Sequence, residues 1–212
     1  MSGPGGAAGR GVVDLFYPIV PDVGWLARIV PLGVRTIQLR LKDAAAPEIS
    51  RQITKSLDIC AAHGCDLIVN DYWREAIVAG ASWVHLGQED LAAADLSAIR
   101  AAGLRFGLST HDEAELRVAL AANPDYIALG PIYETTLKAM RWQPQGLARV
   151  TTWKALIGAT PLVAIGGITP DRATGVVAAG ADSVAVITDF LTSVDPEARI
   201  STWLNWRNAT VS

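Results

Sequence analysis

Two cysteines, Cys60 and Cys65, are all the thiol in a chain of 212 residues, and three histidines are all its imidazole. So little sulfur excludes a disulfide framework. His63 stands between the two cysteines, but no further ligands follow at metal-binding spacing, which excludes a zinc centre. The thiols are expected in or near the core of a protein kept in a reducing compartment. An excess of charge of one sign is also missing: 18 Lys and Arg against 21 Asp and Glu leave −3. That balance gives no general pull toward nucleic acid or acidic membrane, so any anion site must be a local cluster. No apolar run approaches the roughly 20 residues of a membrane span. Residues 1–11 are rich in Gly and Ala and lack the apolar segment of a signal peptide. They read as a flexible tail, and Gly3-Pro4-Gly5-Gly6 is no nucleotide loop, because no strand precedes it. These absences point to a cytoplasmic protein with neither nucleic acid nor membrane as partner.

What is present is a repeat. Half the residues are apolar, enough for a substantial core. A short β-branched run, a polar turn and an Ala/Leu-rich helical stretch recur along the chain. Strands are expected at 14–20, 35–41, 66–70, 83–86, 105–109, 126–130, 161–165 and 183–187. Helices are expected at 23–31, 46–63, 72–79, 92–102, 111–121, 146–157, 170–179 and 196–206. Such alternation implies parallel strands with helical crossovers. Eight units in about 200 residues fit a single-domain α/β protein, a (β/α)8 TIM barrel over residues 12–212. An open doubly wound sheet is the alternative. Thr110 and Glu113 have capping-box spacing, and Thr169-Pro170 marks a helix start. Gly64, Gly80, Gly103 and Gly180 fall where left-handed helix caps are wanted.

The run Thr36-Ile37-Gln38-Leu39-Arg40-Leu41-Lys42 carries the most chemistry. In a strand Gln38, Arg40 and Lys42 share one face, each roughly 7 Å from the next. An apolar core rejects such a row, so it must meet water, carboxylates or an anion. In a barrel the site forms at the C-terminal ends of the strands. There the sequence supplies Asn70 and Asp71, then His85 with Gly87-Gln88-Glu89-Asp90, then Ser109, Thr110 and His111. A long loop from Gly130 to Lys138, the turn Gly166-Gly167, and Ile187-Thr188-Asp189 follow. Asp71 and Asp90 come after neighbouring strands, and paired hard oxygens suit Mg²⁺. Gly166-Gly167 before a helix start suits a phosphate held by backbone N–H groups. Two anion sites in one mouth fit a reaction joining two phosphorylated small molecules.

These segments, together with Val84-His85-Leu86-Gly87-Gln88-Glu89-Asp90, Gly107-Leu108-Ser109-Thr110-His111, Gly130-Pro131-Ile132-Tyr133 and Ala164-Ile165-Gly166-Gly167-Ile168, resemble the thiamine phosphate synthase family over nearly the whole chain after the tail. The resemblance implies a TIM barrel that couples 4-amino-2-methyl-5-pyrimidinylmethyl diphosphate to a thiazole phosphate, releasing pyrophosphate. It implies Mg²⁺ at Asp71 and Asp90. It implies that Arg40, Lys42, Asn70 and Lys138 contact the pyrophosphate, with the three cations stabilising its departure. Gln38 and Ser109 would orient the pyrimidine, and Thr135, Gly167, Ile187 and Thr188 would hold the thiazole phosphate.

The coupling is expected to be dissociative, with no protein nucleophile, and the 133–145 loop is expected to act as a lid against water. Three positions depart from the family pattern. Glu134 replaces a proline. Leu137 replaces a hydroxyl residue, with Thr136 one position earlier as its substitute. Thr188 replaces a serine. His85 reads as a hydrogen-bonded core residue, His111 as a helix-capping residue, and Trp142 as the one tryptophan near the site. A thiazole tautomerase using His111, or a non-catalytic phosphate-binding barrel, would be the rival functions. Association into a homo-oligomer is left open.

Overall fold

The structure, a computed structural model, describes residues 13–42, 44–135 and 142–211. The expected tail at 1–11 lies outside them, as do Thr136, Leu137, Lys138 and Arg141 of the expected lid. Eight parallel strands close into a barrel in sequence order: β1 (Phe16–Val20), β2 (Thr36–Leu39), β3 (Asp66–Asn70), β4 (Trp83–Leu86), β5 (Arg105–Thr110), β6 (Tyr126–Leu129), β7 (Leu162–Ile165) and β8 (Ser183–Val186). The helices are α1 (Val23–Ile29), α2 (Ala46–His63), α3 (Trp73–Ala79), α4 (Gln88–Ala93), α5 (Leu96–Ala101), α6 (Glu113–Ala122), α7 (Gly146–Ile157), α8 (Pro170–Ala178), α9 (Thr188–Leu191) and α10 (Pro196–Val211). This is the expected TIM barrel. The open-sheet alternative fails because β1 pairs with β8, Phe16 opposite Val184.

The short apolar runs become strands because both of their faces are buried. Phe16, Ile37, Leu39, Val69, Val84, Phe106, Leu129 and Ala164 pack outward in one core with the helices. The alternate residues Tyr17, Ile19, Ile68, Trp83, Tyr126, Ala128, Val163 and Ala185 fill the barrel itself. Period two thus separates two cores within each strand. Gly107, opposite Tyr126 in the register, is required by this filling. A Cβ there would lie 2.0 Å from the Tyr126 ring.

Local corrections have physical causes. The helix expected at 92–102 is two helices, α4 and α5. Asp95 breaks it by capping α5, its carboxylate accepting from the Ala98 N–H at 2.9 Å. The Thr110 capping box does not form. Thr110 belongs to β5, and its hydroxyl donates to Ala128 O at 2.8 Å and accepts from Trp153 Nε1 at 2.9 Å. The cap is Asp112, which accepts from the Glu115 N–H at 2.9 Å, while Glu115 takes the His111 N–H at 2.8 Å. The strand expected through Leu41 ends at Leu39. α9 is too short for periodicity to reveal. Gly64, Gly80, Gly103 and Gly180 all have positive φ, as expected. Cys60 and Cys65 are buried free thiols.

Candidate functional site

The strand ends place the polar residues around one mouth. On β2, Gln38 faces the barrel interior and is buried, Arg40 is half-buried just past the strand, and Lys42 is exposed beyond it. The row read from the sequence therefore spreads from floor to rim. Gln38 is tolerated inside because it is neutral and its amide donates to the Tyr17 hydroxyl.

β3 ends in Asn70, buried, and Asp71, half-buried. Asp71 takes the left-handed backbone, φ 65°, a conformation uncommon for residues other than glycine. Its N–H donates to His85 O at 2.8 Å, which ties the β3 turn to β4. Asn70 Nδ2 donates to the Asp71 carboxylate. Asp90, in the first turn of α4, stands close enough for its carboxylate to act on that of Asp71. Burial first, then the Asp90 charge, pushes Asp71 up to about 7, while the Arg40 guanidinium and the Gly87 N–H pull it back. Two carboxyl groups so placed repel unless a proton or a cation lies between them. That donor set fits Mg²⁺. Among the described residues no group of three or more His, Cys, Asp or Glu gathers. An ion held by this pair would need further ligands from water or a bound substrate.

The opposite side is built largely from backbone. A cavity of about 220 Å³ is lined by Glu134, Thr135, Ile165, Gly166, Gly167, Arg172, Ile187 and Thr188, among others. Gly166 and Gly167 have φ of 104° and 62°. A Cβ on Gly167 would lie 2.3 Å from Glu134 O, so only glycine lets the β6 and β7 loops close on each other. Arg172 steadies this turn, donating to Gly167 O at 2.7 Å with its guanidinium 4.7 Å from the Tyr133 ring centre. Asp189 is held by both arms of Arg199 at 2.7 Å and by Trp203 Nε1 at 2.8 Å. Its charge is thereby neutralised beside Thr188. Glu134 is exposed at the edge of the cavity.

Sequence reasoning missed what lies beneath. Tyr17 and Tyr126 hydroxyls are 3.0 Å apart, Tyr126 Oη is 2.8 Å from His85 Nδ1, and His85 Nε2 is 2.8 Å from Ser109 Oγ. Burial pushes both phenols well above their ordinary range, so they keep their protons. Burial, then the Arg40 charge, lowers His85 to about 4, so its ring is neutral. His85 is the hydrogen-bonded core residue expected. The missed signal was a hydroxyl-bearing aromatic at the inward positions of the first and sixth strands. Gln88, named in the turn after the fourth strand but given no role, donates from Nε2 to Ser109 O at 2.6 Å. His111 stacks on Trp142, ring centres 5.3 Å apart, and its Nδ1 is 2.8 Å from Glu115.

A family model described as thiamine monophosphate synthase matches residues 17–190. The chain belongs to that family. It is 56% identical to a thiamine-phosphate synthase of Rhizobium etli, over 91% of this chain and 94% of the relative. It is 48% identical to one of Neisseria meningitidis serogroup A, over 86% and 89%. Among solved structures, a thiamine phosphate pyrophosphorylase from Pyrococcus furiosus superposes with a TM-score of 0.82 at 23% identity, over 94% of this chain and 98% of that one. A 3-hexulose-6-phosphate synthase superposes with a TM-score of 0.63 at 17% identity, over 90% and 98%. At such identities these likenesses speak for the barrel alone. The family and its closely similar relatives speak for the chemistry.

Proposed function

We propose that this member of the family condenses 4-amino-2-methyl-5-pyrimidinylmethyl diphosphate with 4-methyl-5-(2-phosphoethyl)thiazole, or its carboxylated form, to give thiamine phosphate and pyrophosphate. The chain is a transferase of thiamine biosynthesis, and the bond it makes joins the thiazole nitrogen to the pyrimidine methylene carbon. One observation carries the reading of the site: the Asp71–Asp90 pair beside Arg40 stands across the mouth from the glycine-built cavity. One half suits a metal-bound diphosphate and the other a monophosphate.

When bound, Mg²⁺ would be held by Asp71 and Asp90 and would neutralise charge on the departing pyrophosphate. Arg40 and Asn70 stand at the same strand ends to receive that anion. Lys42 and Lys138 are assigned to it as well, one from the exposed rim and one from the loop outside the described residues. Stabilising the leaving group lets the C–O bond break ahead of bond formation. The pyrimidine, oriented by Gln38 and Ser109, keeps its methylene carbon turned toward the thiazole nitrogen. Thr135, Thr136, Gly167, Ile187 and Thr188 hold the thiazole phosphate. No side chain attacks the substrate. Phosphorylated substrates do not cross a bilayer unaided, which puts the reaction in the cytoplasm.

The test is to incubate the protein with both substrates and follow thiamine phosphate and pyrophosphate together, with and without a chelator. Equal amounts of both products, abolished by chelator and restored by Mg²⁺, are expected. Tautomerised thiazole without pyrophosphate release would overturn the reading. His111, the residue that rival would use, has its Nδ1 paired with Glu115 and its ring stacked on Trp142.

A further inference from the structure

The residues below the mouth form one continuous chain of hydrogen bonds drawn from five strands: Gln38 on β2, Tyr17 on β1, Tyr126 on β6, His85 on β4 and Ser109 on β5. Each interior link has one proton to give. A phenol donates once, and a neutral imidazole donates from one nitrogen and accepts at the other. The chain can therefore run in only one sense at a time. Gln38 presents its amide nitrogen to Tyr17, and this fixes the sense. Tyr17 donates to Tyr126, Tyr126 donates to His85 Nδ1, and His85 Nε2–H donates to Ser109 Oγ.

The two ends are then unlike. Gln38 is left with its amide oxygen, which accepts, and one further N–H, and Ser109 with its hydroxyl proton and one lone pair. Among the described residues the one buried side-chain polar atom lacking a partner is Ser56 Oγ. The whole arrangement is held rigidly. Tyr126 stacks on the His85 ring at 5.5 Å and meets Tyr17 edge-on at 6.3 Å. Gly107 supplies the space that Tyr126 fills.

We propose that the Tyr17–Tyr126–His85 chain holds the Gln38 amide in one orientation and turns the Ser109 proton outward, and that this fixed polarity of the floor selects a 4-aminopyrimidine over its 4-oxo counterpart. Tyr17, Tyr126 and His85 are positioning residues in this scheme. It rests on the condensation proposed above, and it adds how the pyrimidine is chosen. An aminopyrimidine edge donates through its amino group and accepts at a ring nitrogen, which complements the floor. The 4-oxo form accepts at its oxygen and donates from its ring N–H, which sets like groups against like. Reversing the match would require every proton in the chain to move and the Gln38 amide to flip. Sites built to hydrogen-bond one pattern discriminate strongly for this reason.

The experiment uses the full chain and two probes, 4-amino- and 4-oxo-2-methyl-5-pyrimidinylmethyl phosphate, as competitive inhibitors of the condensation. The wild-type protein is expected to prefer the amino probe by at least about a hundredfold. Tyr126→Phe breaks the chain at its middle with no change of ring packing. It is expected to cut that preference by about tenfold or more, and to leave the KM for thiazole phosphate unchanged. Tyr17→Phe should do the same. The double variant should lose no more than either single one, because one broken link already releases both ends. A purely structural role for the phenols would weaken both probes equally and leave their ratio intact. An unchanged ratio in either folded single variant, or additive losses in the double, overturns the proposal. If the wild-type protein makes thiamine phosphate but does not distinguish the probes, the floor proposal alone fails. If it makes none, the functional reading fails with it.

Discussion

At the ends of β2, β3 and β4 the mouth of the barrel presents side chains: Arg40, Asn70 and a carboxylate pair. At the ends of β6, β7 and β8 it presents turns: two glycines in left-handed backbone, Thr135 and the start of α9. The difference suits the two ligands in the proposed condensation. A diphosphate that must leave gains charge as its bond breaks, so its side needs full charges that respond to that gain. A monophosphate that stays attached needs only to be held, and N–H groups at a turn do so without burying a cation.

Four substitutions or conditions would break or sharpen this contrast. The largest effect is expected from Arg40→Ala. It should lower kcat/KM for the diphosphate about a hundredfold, the scale of one lost stabilising donor, about 3 kcal/mol. Steady-state kinetics should show the thiazole KM little changed; a rate near that of the wild type would remove Arg40 from the leaving-group side. Next is Gly167→Ala, where a new Cβ meets Glu134 O at 2.3 Å in backbone with φ 62°. Strain of about 2 kcal/mol corresponds to roughly a thirtyfold rise in the KM for thiazole phosphate. The Mg²⁺ requirement should stay as it was, and if both parameters move together the two sides are not separate.

A third test addresses the floor beneath both sides. His85 is held near 4 against an ordinary value of 6.5. The unfolded chain therefore binds this proton first, and the contribution of the neutral ring is full above about 6.5 and lost as pH falls toward 4. Denaturant titrations at pH 7 and 4.5 should show the wild type losing about 2 kcal/mol more than His85→Gln does. Parallel losses would mean that the ring is not buried neutral. The smallest effect is expected from Asp71→Asn. Asparagine accepts the left-handed backbone that Asp71 adopts, so the fold should survive. The Mg²⁺ concentration for half-maximal rate should rise by about tenfold or more, comparable with the loss of supporting contacts at other metal sites. An unchanged metal titration would separate the carboxylate pair from the cation.

The barrel was legible because its strands announce themselves twice, by β-branched runs and by the turns that bound them. The one long error, a single helix at 92–102, came from an Ala-rich stretch in which Asp95 acts through its cap rather than through hydropathy. At the rim, Asp71, Asp90 and Gly166-Gly167 were readable because charge and glycine are conspicuous at strand ends. Arg40 and Lys42 were read as equals, yet β2 stops at Leu39; the Arg40 charge acts on Asp71, while Lys42 is exposed beyond it. The floor was not readable. Tyr17 and Tyr126 are 109 residues apart in the chain, and each by itself looks like ordinary filling. Their partnership exists only through barrel closure, which no local pattern encodes.

That closure has a consequence for synthesis. β1 leans on β8 along Phe16–Val184, Tyr17–Ala185 and Pro18–Val186, so the final seam joins segments about as far apart as this chain allows. Until the last strand emerges from the ribosome, the growing sheet carries two raw edges with unsatisfied N–H and C=O groups, the features that recruit other chains into aggregates. A chain truncated before residue 183 should inherit that stickiness permanently, whereas the finished ring has no rim left to copy.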